Sequence, residues 1–137
     1  MISVQLESEI SLEEFLWILN DSGLGERRPM NDLDLLQKMI SGSNLIVTAR
    51  KEGELVGLLR GLTDHCYRCF VADLAVAKVY QRQGVGRKLL EFTRDLAPKA
   101  RLFLFSAEDA IPFYEKLGFH LHERCYQLKA GEEFRNS

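Results

Sequence analysis

The sequence predicts an α/β fold: a single domain with a mixed central β-sheet flanked by helices, in the order β-α-α-β-β-β-α-β-α-β. Three observations predict it. Period-two apolar alternation and helical apolar spacing take turns along the chain, in stretches of strand and helix length. Between Asp73 and Leu90 an apolar strand pattern runs into a glycine-spaced loop that opens an amphipathic helix. The 137 residues, 46% hydrophobic and 28% charged, are one domain's worth and have the balance of a globular protein; residues 1–137 are therefore read as one domain.

The elements follow in order. Ile2 to Leu6 alternates apolar and polar residues, a short first strand. Ser11 reads as a helix N-cap, and Glu14 three residues on completes a capping box. Leu12, Phe15, Leu16 and Leu19 then recur at helical spacing, with Trp17 assigned to the core alongside them. Asn20 to Gly23 ends this helix, and a loop runs to Pro29. Asn31 or Asp32 caps a second helix with an expected buried stripe of Leu35, Leu36, Met39 and Ile40. Leu45–Arg50 and Leu55–Leu62 form a hairpin about a turn at Lys51–Glu54. Gly57, inside the second of these strands, marks a close backbone approach.

The fourth strand runs from about Tyr67 to Val76. The helix after it, from about Gly84 to Leu96, carries Val85, Leu89, Phe92 and Leu96 on one face and stops at Pro98. Arg101–Ser106 is apolar enough to read as a central strand. Asp109 is placed as the cap of a last helix reaching Leu117, with Pro112 tolerated only in its first turn. Gly118 is its stop, and Phe119–Leu128 reads as a final strand before a polar tail.

The chemistry concentrates in Gln81-Arg82-Gln83-Gly84-Val85-Gly86-Arg87-Lys88. The first amides of a helix lack intrahelical partners and carry the positive end of its dipole, so a glycine loop at that point suits phosphate oxygens. The third glycine of the dinucleotide fingerprint is missing, and so is the Gly-Lys-Ser/Thr of the ATP-binding loop. Between Asp73 and Glu91 there is no acid, while Lys78, Arg82, Arg87 and Lys88 fall there, a cationic field for a ligand with several phosphates.

Gln-x-x-Gly-x-Gly, after a strand and before a helix, resembles the coenzyme A pyrophosphate motif of the GNAT superfamily of N-acetyltransferases. Ala110-Ile-Pro-Phe-Tyr-Glu-Lys-Leu-Gly-Phe119 resembles the family's second motif, Ala-x-x-Phe-Tyr-x-x-x-Gly-Phe. The order of elements matches that fold along essentially the whole chain. The usual Asn seven residues before the Tyr is Ala107 here, with Ser106 and Glu108 as neighbouring polar groups.

The resemblance implies acetyl transfer from acetyl-CoA, as co-substrate, to a primary amine by direct attack. It implies that backbone groups of Leu74, Ala75 and Val76 hold the pantetheine arm like an added strand, and that amides of Arg82 to Arg87 hold the pyrophosphate. Arg82, Arg87 and Lys88 are the candidates for phosphate charge, and an N–H near Leu74 to Val76 for the oxyanion. Tyr114 matches the family's general-acid tyrosine; a phenol with an ordinary pKa of about 10 is protonated at neutral pH and can donate to the departing thiolate. The attacking amine must lose a proton. Asp73 is the base candidate on the fourth strand, Asp64 and Glu108 are weaker ones, and a water relay needs none. The other class in view is an acyl-CoA sensor that binds cofactor and regulates a protein partner without turnover.

Charge is uneven about a net −2: residues 1–37 hold eight acids against Arg27 and Arg28. Glu13, Glu14, Asp21, Glu26, Asp32 and Asp34 would favour a cationic acceptor such as a polyamine, a lysine or an aminoglycoside-like amine. Arg27 and Arg28 would favour one bearing a carboxylate or phosphate. No basic stripe for nucleic acid and no apolar run of membrane-spanning length is present. Three cysteines and an N-terminus without a basic region lead us to expect a cytoplasmic protein with reduced thiols. Cys66-Tyr67-Arg68-Cys69 lacks the second pair a zinc site needs, so no metal is expected. Exposed sheet edges offer a route to a homodimer.

Overall fold

The computed structural model describes residues 1–136, which form two compact units. The larger, Met1–Phe105, is a five-stranded mixed sheet with helices on both faces. Its strands lie in chain order: β1 (Ile2–Glu7), β2 (Leu45–Lys51), β3 (Glu54–Thr63), β4 (Arg68–Val76) and β5 (Arg101–Phe103). The first four are antiparallel neighbours, and β5 joins β4 in parallel. The helices are α1 (Leu12–Ser22), α2 (Leu33–Ser41) and α3 (Val85–Leu96). The β2–β3 turn has Glu52 and Gly53 both at positive φ, the geometry whose twist suits a two-residue hairpin.

Both helix caps expected at the N-terminal end are made. Ser11 Oγ accepts the Glu14 N–H at 3.0 Å, and Asp32 Oδ1 accepts the Leu35 N–H at 3.1 Å. The capping box is only half formed, because the Glu14 carboxylate turns to Arg50 at 2.7 Å. Trp17 is 49% exposed and leaves the core to Phe15, Ile18 and Leu19. On α2 the buried positions are Leu36 and Ile40, while Leu35 faces solvent. The buried stripe of α3 is Val85, Leu89, Leu90 and Thr93, rotated away from Phe92 and from an exposed Leu96. A Cβ built at Gly57 would sit 3.0 Å from Val85 Cγ1 and 3.2 Å from Leu89 Cδ1. That glycine is what lets α3 lie directly on the sheet.

β5 is an edge strand of three residues rather than a central strand. Phe103 and Phe105 are exposed, and both rings pack around Phe70, at 5.3 and 5.6 Å between centroids. The second unit begins at Ser106. It holds a short 3-10 turn, Glu108–Ala110, and α4 (Ile111–Lys116). Asp109 lies inside the turn and caps nothing; Ala110 is the N-cap, and Pro112 sits in the first turn of the helix. The expected strand over residues 119–128 is not formed. Leu121 and Tyr126 face solvent, so burial gives the alternation nothing to act on, and a turn at Glu123 and Arg124 breaks the run. The turn is held by the Arg124 N–H donating to His122 Nδ1 at 2.9 Å.

Candidate active site

β4 carries the site's first half. It pairs with β5 only over Arg68–Phe70, then continues six residues further with β3 alone. The phase of that second stretch follows from the ladder. The Ala77 N–H donates to Val56 O, so Ala75 and Asp73 also turn their backbone groups into β3. Leu74 and Val76 turn theirs outward, along the edge β5 has left. Of the three residues expected to hold an extended arm, Ala75 is thus committed to the sheet. Val76 O is taken by Gln81 Nε2 at 2.9 Å, which leaves both groups of Leu74 and the N–H of Val76 facing out.

A β-bulge sets this phase. Register shifts between Arg60, opposite Asp73, and Gly61, opposite Val71, so Ala72 is the extra residue. Its carbonyl accepts from Arg28 at 2.9 Å. Arg28 Nε also donates to Asp73 Oδ1 at 2.7 Å, and Arg60 Nε donates to Asp73 Oδ2 at 2.5 Å. Arg60 extends to Met39 O and Ser43 Oγ and lies over the Phe15 ring. Asp73 is 1% exposed, with each carboxylate oxygen facing a guanidinium. A carboxylate so held ties Arg28 and Arg60 to the strand at the bulge. The partner, Arg28, is invisible from local pattern because it lies 45 residues away.

The loop after β4 supplies the second half. Lys78–Tyr80 is a 3-10 turn whose first N–H donates to Asp21 Oδ2 at 2.8 Å. Gln81 donates to Val76 O and to Ser22 O, bracing the loop against the end of α1 rather than projecting from it. Arg82 (φ 64) and Gly84 (φ 86) are left-handed. Gly84 caps α3 without a side-chain bond, and the Lys88 N–H donating to Gly84 O is the first intrahelical bond. The amides of Val85, Gly86 and Arg87 therefore point out of the helix end. Gln83 folds back onto Val79 O. Arg82, Arg87 and Lys88 are exposed, Arg87 within reach of Glu91 at 3.2 Å. A bent run of amides under a positive dipole, with cations at its rim, fits a diphosphate.

In the second unit, the Phe-Tyr-x-x-x-Gly-Phe spacing is a helix stop. Gly118, at φ 97, donates its N–H to Glu115 O, and the Phe119 N–H reaches Tyr114 O at 3.0 Å. This is the paired closure that a left-handed glycine permits, with the apolar contact that accompanies it. The Phe119 ring meets Tyr114 edge-on at 5.5 Å, and Phe113 meets it at 5.0 Å from the other side. Ser106 Oγ donates to Ala107 O.

The amino-terminal acids are largely spent within the fold. Glu14 pairs with Arg50, Asp21 takes the Lys78 N–H, Asp32 caps α2, and Asp34 pairs with Lys38. A cleft of about 920 Å³ beside α1 is lined by Glu13, Trp17, Asp21, Glu52, Glu54 and Tyr80, among others. The chain's own Lys51 ammonium stands 5.5 Å from the Tyr80 ring centre there. Asp64 Oδ1 accepts three backbone N–H groups, from Cys66, Tyr67 and Arg68, which hold its carboxyl far below the usual range. Among the described residues no three His, Cys, Asp or Glu side chains group to hold a metal ion. No helix among them is long and apolar enough to cross a membrane.

A family model for the acetyltransferase (GNAT) domain matches residues 42–121. The chain belongs to the GNAT acetyltransferase family. A GNAT-family acetyltransferase from Streptococcus pneumoniae superposes with a TM-score of 0.77 at 27% identity, over 94% of this chain and 96% of that one. GCN5-related N-acetyltransferase 2, a chloroplastic protein of Arabidopsis thaliana, is 33% identical over 73 residues. Glucosamine 6-phosphate N-acetyltransferase of Trypanosoma brucei brucei is 34% identical over 61. These matches cover 51% and 42% of this GNAT chain, and 28% and 42% of the respective relatives.

Proposed function

We propose that this protein transfers the acetyl group of acetyl-CoA to a primary amine by direct attack. The observation that carries the reading is the outward-facing edge of β4 at Leu74 and Val76, followed through one short loop by the unpartnered amides of Val85–Arg87 at the start of α3. A ligand with an amide-bearing arm and a diphosphate needs those two features in that order. Leu74 and Val76 would bond the pantetheine arm, the amides from Arg82 to Arg87 the diphosphate, and Arg82, Arg87 and Lys88 the remaining phosphate charge. Gln81 and Gln83 act by folding the loop. Acetyl-CoA supplies an activated acyl thioester.

The Leu74 N–H would meet negative charge growing on the acyl oxygen, a role commonly worth roughly 2.7–4 kcal/mol when one such donor is removed. Tyr114 is the proton donor to the leaving sulfur, held by its flanking rings and by the Gly118 closure. Asp73 is assigned to holding β4, and the amine's proton leaves through water. The family membership and the fit of the loop to a diphosphate support this reading; the acceptor amine stays open between the cationic and anion-bearing classes. Arg28, one of two residues that favoured an anion-bearing acceptor, is engaged by Asp73, which leaves Arg27.

Thiol release from acetyl-CoA across a panel of amines, including peptides and polyamines, tests the proposal. The expected result is amine-dependent release, with Tyr114→Phe lowering turnover about 100-fold while calorimetric CoA affinity is retained. Binding of CoA without release on any amine would favour the sensor reading instead. Unchanged turnover in Tyr114→Phe would remove Tyr114 from the chemistry.

A further inference from the structure

Asp73 carries one negative charge and is met by two guanidinium groups, both largely buried, with side-chain exposures of 16% for Arg28 and 9% for Arg60. Arg60 alone would neutralise it. A buried site that needed only charge balance would stop there, because each extra buried charge costs desolvation. The second guanidinium also does something Arg60 does not: it reaches the Ala72 carbonyl, the group that the bulge takes out of the β3–β4 ladder. One planar side chain thus ties together the extra residue and its successor, a two-pronged geometry that an ammonium cannot copy.

The loop that presents Arg28 is prepared for this. The Arg28 N–H donates to Gly25 O at 3.1 Å, the Met30 N–H donates to Arg28 O at 2.9 Å, and the guanidinium donates a third bond to Arg27 O. Gly25 packs so closely that a Cβ there would stand 3.2 Å from Leu19 O. Losing the bulge while the Gly61–Val71 pairing is kept would exchange the inward and outward backbone sets of β4 from Asp73 onward, because that alternation has a period of two. Leu74 would then face β3, and Asp73 and Ala75 would face out.

We infer that Arg28 is a positioning residue for acyl transfer: by pinning Ala72 O and Asp73 it fixes the bulge that turns the Leu74 N–H outward, and it ties the loop between α1 and α2 to the reacting strand. This rests on the proposed acetyl transfer. It assigns Arg28 no contact with substrate.

The test compares the full chain with Arg28→Lys, which keeps the charge and loses the fork, and Arg28→Ala. CoA affinity is measured by calorimetry, kcat and KM by thiol release, folding by urea midpoint, and amide exchange of β4 with and without CoA. For Arg28→Lys the expected result is kcat lower by about tenfold or more, with KM for acetyl-CoA and CoA affinity weakened by a smaller factor than kcat, since the diphosphate loop is untouched and only the arm's bonds to β4 are lost. CoA should still protect the amides of Val85–Arg87 but no longer that of Leu74. Methylguanidine should restore part of the kcat of Arg28→Ala. Wild-type kcat in Arg28→Lys, or a loss that only follows the unfolded fraction, overturns the inference. If the wild type binds CoA but never turns over, acetyl transfer fails as a reading. The exchange pattern then decides for Arg28: retained Leu74 protection in Arg28→Lys overturns it. A wild type that does not bind CoA overturns both.

Discussion

Single residues set the backbone of this site more than their side chains decorate it. Gly84 holds a left-handed φ of 86°, and a Cβ there would meet nothing within 4 Å. The cost of replacing it is therefore conformational and not steric. Gly84→Ala should lose about 1 kcal/mol of stability in urea titration and weaken CoA binding in calorimetry, through the altered turn rather than through a clash. Arg82 pays such a penalty already, at φ 64, in the same loop. A bulky residue kept in that conformation is consistent with its charge being wanted at the loop's rim. Asp73 shows the opposite case, a polar residue whose carboxylate is buried between two guanidinium groups. In the sequence it is the one acid on the fourth strand and looks like a base. Its two partners come from positions 28 and 60, and nothing local announces them.

At the scale of elements, the motifs were legible where they encode backbone geometry. Gly84 and Gly118 both sit at positive φ, and each ends or begins a helix where the spacing placed it. Hairpin, helix order and Gly57 were readable for the same reason: turns and close approaches demand particular residue types. The bulge was not, since Ala72 fits a regular strand as well as an irregular one. Alternation misled over residues 119–128, where period two appears without a surface to bury it, and β5 proved apolar because of the Phe70 cluster rather than central burial. Polar ties between elements escaped equally. Arg50 donates to Glu7 of β1 and Glu14 of α1, and Thr48 donates to Glu7 as well. The hydrogen bond from Arg50, foremost, holds the Glu7 carboxyl below its ordinary value of 4.5, against the opposing pull of burial. A carboxyl depressed in the folded state stabilises above its unfolded pKa and loses that contribution as pH falls through the folded one. Glu7→Gln should therefore cost about 1–2 kcal/mol at pH 7, and the gap from wild type should close toward pH 3, as read from urea midpoints at both values.

For the molecule as a whole, the parting of β4 from β5 after three residue pairs is the feature with the widest reach. Beyond Phe70, Leu74 and Val76 offer outward ladder groups along an edge of the sheet, with exposed Phe103 and Phe105 on and just after β5. Any extended peptide can read such an edge, including the same segment of another molecule. A coenzyme arm lying there would do more than deliver a reactant. It would shield the edge from unwanted pairing, and the coenzyme level would then set colloidal survival. Light scattering during a slow temperature ramp should show aggregation beginning several degrees later with desulfo-CoA than without it. The delay should exceed the rise in the unfolding midpoint, since mass action on folding alone would move both together. Equal shifts would mean that the edge is already protected by the chain itself. Otherwise the protein's shelf life is written into the three-pair junction beyond which this edge of β4 stands unpaired.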